Sequence, residues 1–317
     1  MDIGVVSQSA IEHGGKRLLS RQQKRIHLFC YLFLLPQTVM YLAFTIWPIL
    51  ASYYYSFFNW DGVGWPTDFI GFQNYQGVIS DPFFWGAFQN SFLYTIATVI
   101  LVVPGALIMA LILNNRKLKG VIVFRTLIFL PVVLTMAVVG LVMQDMFGYN
   151  GFFNRLLMWI GLLHQPVEWL NSAIIAMVLL ILIGSWKGFG IKVIYWLAGL
   201  QTVSTEIYEA AHVDGANVIQ RFRHITVPML IPFLIVITIL QTNESFHVFD
   251  LVRTFTNGGP FFGTDVVPLY IYNNAFGSLV PRMGYACAAG IVFGIATLLV
   301  SLGLGLLARR FGQRNTL

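Results

Sequence analysis

Gln241, Glu244, Ser245 and Val248 stand at i, i+3, i+4 and i+7, so a helix over this segment gathers an amide, a carboxylate and a hydroxyl on one face. Such groups hydrogen-bond hydroxylated solutes, sugars among them. The segment opens as an apolar run, Phe233 to Leu240, and turns polar through Gln241, Thr242, Asn243, Glu244, Ser245 and His247. Lipid is a poor medium for that cluster. Three readings are open: the cluster lines a solute path, lies at the far membrane interface, or bonds a neighbouring helix. On a helix rising about 1.5 Å per residue, Glu244 lies about 30 Å from His224.

Other chemistry is missing from the chain. Gly14-Gly15-Lys16 lacks the spacing of a Walker A loop, so nucleotide hydrolysis has no site here. No H-E-x-x-H, aspartate-rich pair or Ser-x-x-Lys arrangement occurs in the apolar stretches, which leaves an intramembrane hydrolase or prenyl transferase nothing to work with. The two cysteines, Cys30 and Cys287, are far apart in apolar sequence and read as small core residues rather than a disulfide or zinc pair. No metal site is expected.

The elements that must position the cluster are membrane spans. Of 317 residues 57% are hydrophobic and 10% charged, against about 25% charged in a soluble domain, and the mean hydropathy is +0.74. The net charge of +6 therefore reads as an orientation signal and lipid contact, and nucleic-acid binding is set aside. Six stretches are long enough to cross: Leu28 to Phe58, Pro82 to Asn115, Thr126 to Gln144, Trp169 to Trp186 continuing past Lys187 and Lys192, Ile225 to Asn243, and Met283 to Ala308.

Lys and Arg stay on the cytoplasmic side. With both termini inside, 16 of the 19 basic residues fall there: Lys16, Arg17, Arg21, Lys24 and Arg25; Arg116, Lys117, Lys119 and Arg125; Lys187, Lys192, Arg221 and Arg223; Arg309, Arg310 and Arg314. Arg155, Arg253 and Arg282 fall outside. The expected organisation is an N-terminal cytoplasmic arm over 1–27, retained rather than cleaved as a signal, a six-span domain over 28–309, and a cytoplasmic tail over 310–317. The first outer loop, Asn59 to Asp81, carries three acids, no base and many aromatics, including Trp60, Trp65, Phe69, Phe72 and Tyr75, which suit the headgroup layer or a docking partner.

The connection Ser204 to His224 is too patterned for a simple turn. Ser204 or Thr205 can cap a helix whose first turn carries Glu206 and Glu209, with Ile207, Tyr208, Ala210, Ala211 and Val213 as a small apolar face. Asp214 and Gly215 interrupt it, and Asn217 to Arg223 resumes with basic character. The expectation is two short helices with a bend. They either lie on the inner leaflet or dock in a protein groove, and the small residues favour docking.

Glu209-Ala210-Ala211, Asp214-Gly215-Ala216, then Ile225, Thr226, Pro228 and Pro232 resemble the EAA loop of binding-protein-dependent ABC importer permeases. Further marks extend the resemblance over nearly the whole chain, toward the carbohydrate-uptake branch related to the maltose and glycerol-3-phosphate permeases. They are Phe69 to Tyr75, Asn90-Ser91 with Tyr94-Thr95, Phe129-Leu130-Pro131, Asn150-Gly151 with Asn154, Leu197 to Gln201, Thr256 to Pro260, and Gly284-Tyr285-Ala286. Two features depart from the pattern. Ser204 stands where the family commonly has proline, and the outer loops lack the large insertion of the bigger maltose subunit.

The resemblance implies an all-α integral membrane protein of six transmembrane helices with a cytoplasmic coupling helix within 204–224, the type I ABC importer permease architecture of a bacterial inner membrane. It implies a second homologous permease as heterodimer partner, two ATPase subunits that bind ATP and Mg, and an extracytoplasmic solute-binding protein, with no cofactor in this chain. Glu209, Ala210, Ala211, Asp214 and Gly215 would couple to the ATPase. The family's sugar-contacting positions match Gly184, Lys187, Gly188 and Ile191 before the loop and Gln241, Ser245 and Val248 after it, with Glu244 among them on the polar face. A neutral sugar or oligosaccharide is the expected solute, because Lys187, which either snorkels inward or faces the cavity, is the one base that beside Glu244 could place a charge there. A phosphorylated polyol such as glycerol 3-phosphate is the alternative. A self-contained secondary transporter is a lesser one, since only Asp145 and Glu244 are acids at span edges.

Overall fold

The computed structural model describes residues 21–115, 119–277 and 279–313. Expectations placed on residues 1–20, on Arg116 and Lys117, and on 314–317 lie outside the described residues. The chain falls into two units, one through Ser52 and one from Tyr53.

The first unit holds α1 (Arg21–Tyr41), a π turn over Leu42–Ile46 and the start of α2 (Trp47–Tyr55). From Leu28 to Tyr55 this run is long and apolar enough to cross a bilayer. Phe33, Phe44 and Trp47 are exposed on it. Cys30, expected in a core, is exposed on α1, and Cys287 is half-buried farther along the chain.

The second unit contains α3 (Gln73–Ser80), α4 (Pro82–Leu113), α5 (Val121–Val133), α6 (Met136–Met146), α7 (Phe152–Trp159), α8 (Ala173–Gln201), α9 (Thr205–Val213), α10 (Val218–Arg221), α11 (Val227–Phe246), α12 (Asp250–Phe255), α13 (Val267–Phe276) and α14 (Met283–Gln313). Four more helices suffice to cross a membrane: α4, α8, the continuous run Val218–Phe246, and α14 over Met283–Leu307. The fourth crossing starts later than the sequence suggested, after a 3-10 turn at Trp169–Asn171, and it runs on to Gln201. Lys187 and Lys192, counted as inner loop charges, therefore lie inside the crossing helix.

The third expected span is broken. Instead of one rod over Thr126 to Gln144, α5 and α6 meet at 97°. Pro131 has no N–H to give, the helix stops at Val133, and Leu134 and Thr135 take extended backbone. Thr135 then caps α6 by accepting from the Val138 N–H. Prolines also set two softer features. The π turns at Leu42–Ile46 and Phe222–Thr226 end two residues before Pro48 and Pro228, where the regular hydrogen-bond ladder loses its donor and the helix widens.

Packing centres on α4 and α8, which lie along each other, with α5 and α11 against them and α12 on α6. Trp196, fully buried in α8, donates its indole N–H to the Val103 carbonyl of α4 at 3.0 Å, which satisfies the one polar atom on a large apolar side chain. Around it Val103, Ala106, Ala110, Val193, Leu200, Leu230 and Ile237 form one apolar cluster.

At the opposite end of these helices the loops are tied by single polar residues. Asn74 donates to the carbonyls of Ser56 and Phe58, both at 2.9 Å. Asn154, fully buried, accepts from the Trp169 indole at 2.9 Å and donates to Val167 and Tyr149 carbonyls at 2.9 and 3.0 Å. Asn90 holds the Asp265 carbonyl at 2.9 Å, while the Ser91 hydroxyl accepts from the Val267 N–H at 3.0 Å and so caps α13. Asp81 caps α4 and also receives the hydroxyls of Tyr270 and Tyr285. Gly284 admits the Phe58 carbonyl where any Cβ would collide. The sequence marks around Asn74, Asn90, Asn154 and Gly284 are thus the points where buried backbone groups find partners.

Candidate functional site

Segment 204–224 folds as two short helices with a bend. Ser204 takes the extended cap position of α9, but its hydroxyl makes no capping bond, and Glu206 is the acid of the first turn while Glu209 lies one turn on. Gly215 breaks the run at φ +79°, a left-handed backbone that costs a side-chain residue about 1–2 kcal/mol. Open space surrounds the position of its missing Cβ, so backbone freedom, not contact, requires glycine. Asn217 and Gln220 then form a reciprocal capping box at 2.8 Å each way and restart the helix.

Glu209, Ala210, Asp214 and Gly215 are exposed and Ala211 is half-buried. Val213, Val218 and Ile219 are exposed around them, at 71% or more. One face of the segment is anchored. Tyr208 of α9 meets Thr226 hydroxyl to hydroxyl at 2.8 Å, directly before α11. From Thr226 the helix runs unbroken to Phe246, so the residues at its far end, about 30 Å away, share a rigid element with the bend.

At that far end lies a cavity of about 100 Å³ lined by Gly184 and Gly188 of α8 and by Gln241, Glu244, Ser245 and Val248. Six of the eight residues singled out for a solute path thus come together. Lys187 and Ile191 do not line it. The sequence reading missed Met136, Phe249, Asp250 and Leu251, which complete the wall with His247, named in the polar cluster but not among the solute-path residues, and Tyr94, quoted only as a mark of the resemblance. His247, Asp250 and Leu251 stand at i, i+3 and i+4, but α11 ends at Phe246 and α12 begins at Asp250, so the packing of α4, α6 and α12 beside α11, not one helix, brings the six together.

The polar groups form a chain. Thr98 and Ser245 hydroxyls lie 2.9 Å apart, and the Gln241 amide donates to Ser245 Oγ at 3.0 Å. Gln241 Oε1 is buried with no protein partner, which leaves one acceptor for a ligand. Glu244 pairs with Lys192, not with Lys187. Lys192 is fully buried and Glu244 is 56% exposed; this base, counted among the inner-side charges and not among the solute-path residues, lies five residues beyond Lys187 on α8. Phe249 adds an aromatic wall, held against Tyr272 with ring centroids 5.1 Å apart.

Gly184 and Gly188 have different tasks. A Cβ on Gly184 would collide with the Tyr94 hydroxyl, so this glycine lets α8 approach α4. A Cβ on Gly188 would meet only Gln241 Oε1, at 3.9 Å. Two larger spaces, about 410 and 520 Å³, lie nearer α9, one under α5 and one between α9 and the ends of α4 and α8. Their walls are mainly apolar. The smaller cavity converges Gln241, Glu244, Ser245 and His247 on a less apolar wall, the mark of a solute site.

Residues 73–316 match the family described as binding-protein-dependent transport system inner membrane component. The chain is 36% identical over 264 residues to a lactose transport system permease protein of Rhizobium radiobacter, covering 83% of this chain and 88% of that one. It is 33% identical over 276 residues to an arabinooligosaccharides transport system permease protein of Bacillus subtilis (strain 168), covering 86% of each. Among solved structures, a bacterial alginate ABC transporter in complex with alginate pentasaccharide-bound periplasmic protein aligns with a TM-score of 0.80 at 25% identity. It covers 92% of this chain and 97% of that one.

Proposed function

Because this chain belongs to the family of binding-protein-dependent transport system inner membrane components, we propose that it is the permease subunit of an ABC importer for a sugar or oligosaccharide. One observation carries the reading: a single helix, from Thr226 to Phe246, joins the bend of the EAA segment to a polar cavity. A push on α9 is passed through the Tyr208–Thr226 contact to α11 and reaches Gln241, Glu244 and Ser245 as a rigid displacement.

The partners follow from what this chain lacks and exposes. ATP and Mg are bound by two ATPase subunits, since the sequence has no phosphate-cradling loop. Glu209, Ala210, Ala211, Asp214 and Gly215 seat the bend in the ATPase, with Val213 and Ile219 as apolar anchors. A second, different permease closes the other side of the solute path and covers exposed helix faces, and an extracytoplasmic binding protein delivers the solute. The organisation is a cytoplasmic arm over 1–27, a membrane domain over 28–309 with the coupling segment 204–224, and a cytoplasmic tail over 310–317. Setting aside Lys187 and Lys192, 14 of the remaining 17 basic residues still lie on the proposed inner side.

The test is reconstitution of the chain with a second permease, an ATPase and a binding protein from its own gene neighbourhood. ATP-dependent uptake of lactose, maltotriose or arabinotriose into vesicles is expected, lost on Gln241→Ala with Ser245→Ala. Uptake without ATP, driven by an ion gradient, overturns the reading.

A further inference from the structure

Lys192 has no access to solvent, and its ammonium meets the Oε2 oxygen of Glu244. A buried ammonium left without an anion is strongly unfavourable, so Glu244 is not free to swing away toward a solute. Its second oxygen stays available, because Glu244 lines the cavity and its side chain is 56% exposed. Ionised carboxylate accepts hydrogen bonds only.

We propose that Lys192, acting through Glu244, is a positioning and specificity-determining residue that makes this cavity select neutral polyhydroxylated solutes and refuse anionic ones. This rests on the cavity being the solute path. The pair neutralises itself, and Lys192 stands behind the carboxylate rather than in the wall. The remaining charged group in the wall is Asp250, a second carboxylate, and His247 is committed through Nδ1 to the Asn243 carbonyl at 2.8 Å. Among the described residues no lysine or arginine lines the cavity. A phosphate or uronate would face Asp250 and a Glu244 whose cation is already taken, with no free cation in the described wall, whereas a sugar's hydroxyls find fixed acceptors in Glu244 and Gln241 Oε1. Phe249 offers the apolar face that a sugar ring's C–H groups cover.

The experiment measures uptake kinetics of the complete reconstituted importer with lactose, maltotriose and arabinotriose as neutral probes and digalacturonate as the anionic one. Wild type takes up a neutral sugar in preference to digalacturonate. Lys192→Met raises KM for that sugar at least tenfold while the maximal rate per assembled complex stays within threefold, and Lys192→Arg keeps KM within threefold. Should Lys192→Met fail to assemble, the paired variant Lys192→Met with Glu244→Gln, which removes both charges, carries the same expectation. A wild-type KM in Lys192→Met or in the paired variant overturns the positioning role, and preferred uptake of digalacturonate overturns the selectivity. Gln241→Ala keeps the two failures apart. If it raises KM while Lys192→Met does not, only the role of Lys192 falls; if neither affects uptake, the cavity itself is not the path.

Discussion

The hydroxyls of Tyr208 and Thr226 lie 2.8 Å apart and join α9 to the start of α11, and this is a side-chain hydrogen bond from the exposed coupling segment to the helix that reaches the cavity. A neutral hydroxyl pair is worth about 1 kcal/mol, a factor of about five in an equilibrium. Tyr208→Phe should therefore lower ATP-driven uptake by about fivefold while ATP hydrolysis continues. Unchanged uptake per ATP hydrolysed would show that the contact transmits nothing.

Gly215 separates backbone conformation from contact. At φ +79° with open space around its Cβ position, it should tolerate Asn, which enters the left-handed region readily, and reject Val. Gly215→Val is expected to uncouple hydrolysis from transport, with Gly215→Asn within twofold of wild type. Equal behaviour of the two variants in a coupled uptake and ATPase assay contradicts this.

Gly184 and Gly188 should part in the same way. Gly184→Ala drives a methyl into the Tyr94 hydroxyl and should destabilise by about 1–3 kcal/mol, with partial rescue by Tyr94→Phe. Gly188→Ala has room, so thermal stability should hold while KM rises. Loss of stability in Gly188→Ala with none in Gly184→Ala would reverse the assignment.

Asp265 lies in the loop before α13, buried, and desolvation raises its carboxyl from 3.8 to about 6 against the opposing bond from the Val266 N–H. The folded protein thus holds this proton to higher pH than the unfolded chain. Stability from this group is greatest below about pH 4, falls between 4 and 6, and the loss is complete above. Asp265→Asn should stabilise by up to about 3 kcal/mol at pH 7.5 and by progressively less toward pH 4. Thermal unfolding of the purified complex at several pH values checks it; a gain that does not shrink on acidification would argue against buried charge as the cause.

Orientation is open to direct labelling. Asn217 is exposed, so Asn217→Cys is accessible on whichever side the bend faces. In intact cells an impermeant thiol reagent should leave it unmodified and label it after permeabilisation. Labelling from outside would invert the topology.

Much of this arrangement was legible in the residues. The crossing helices could be read because a bilayer demands long apolar runs, the bend because Asp214 and Gly215 interrupt an otherwise helical pattern, and the polar face because Gln241, Glu244 and Ser245 share one side of any helix. These are local facts. They need only the chain's own periodicity and the medium around it.

The rest depended on which helix lies against which. That the acid at 244 meets the base at 192 rather than 187 follows from the way α8 turns against α11, and sequence spacing within either helix does not encode that rotation. Pro131 and the Thr135 cap permit the break after Val133, but which neighbours the two halves meet, α8 for α5 and α12 for α6, is a matter of packing. Tyr94, Phe249 and Asp250 join the cavity only once α4 and α12 are brought beside α11. Periodicity along one helix fixes which residues share its face; the partner that face meets is set by close packing among several helices, a property of volumes and surfaces summed over the whole chain.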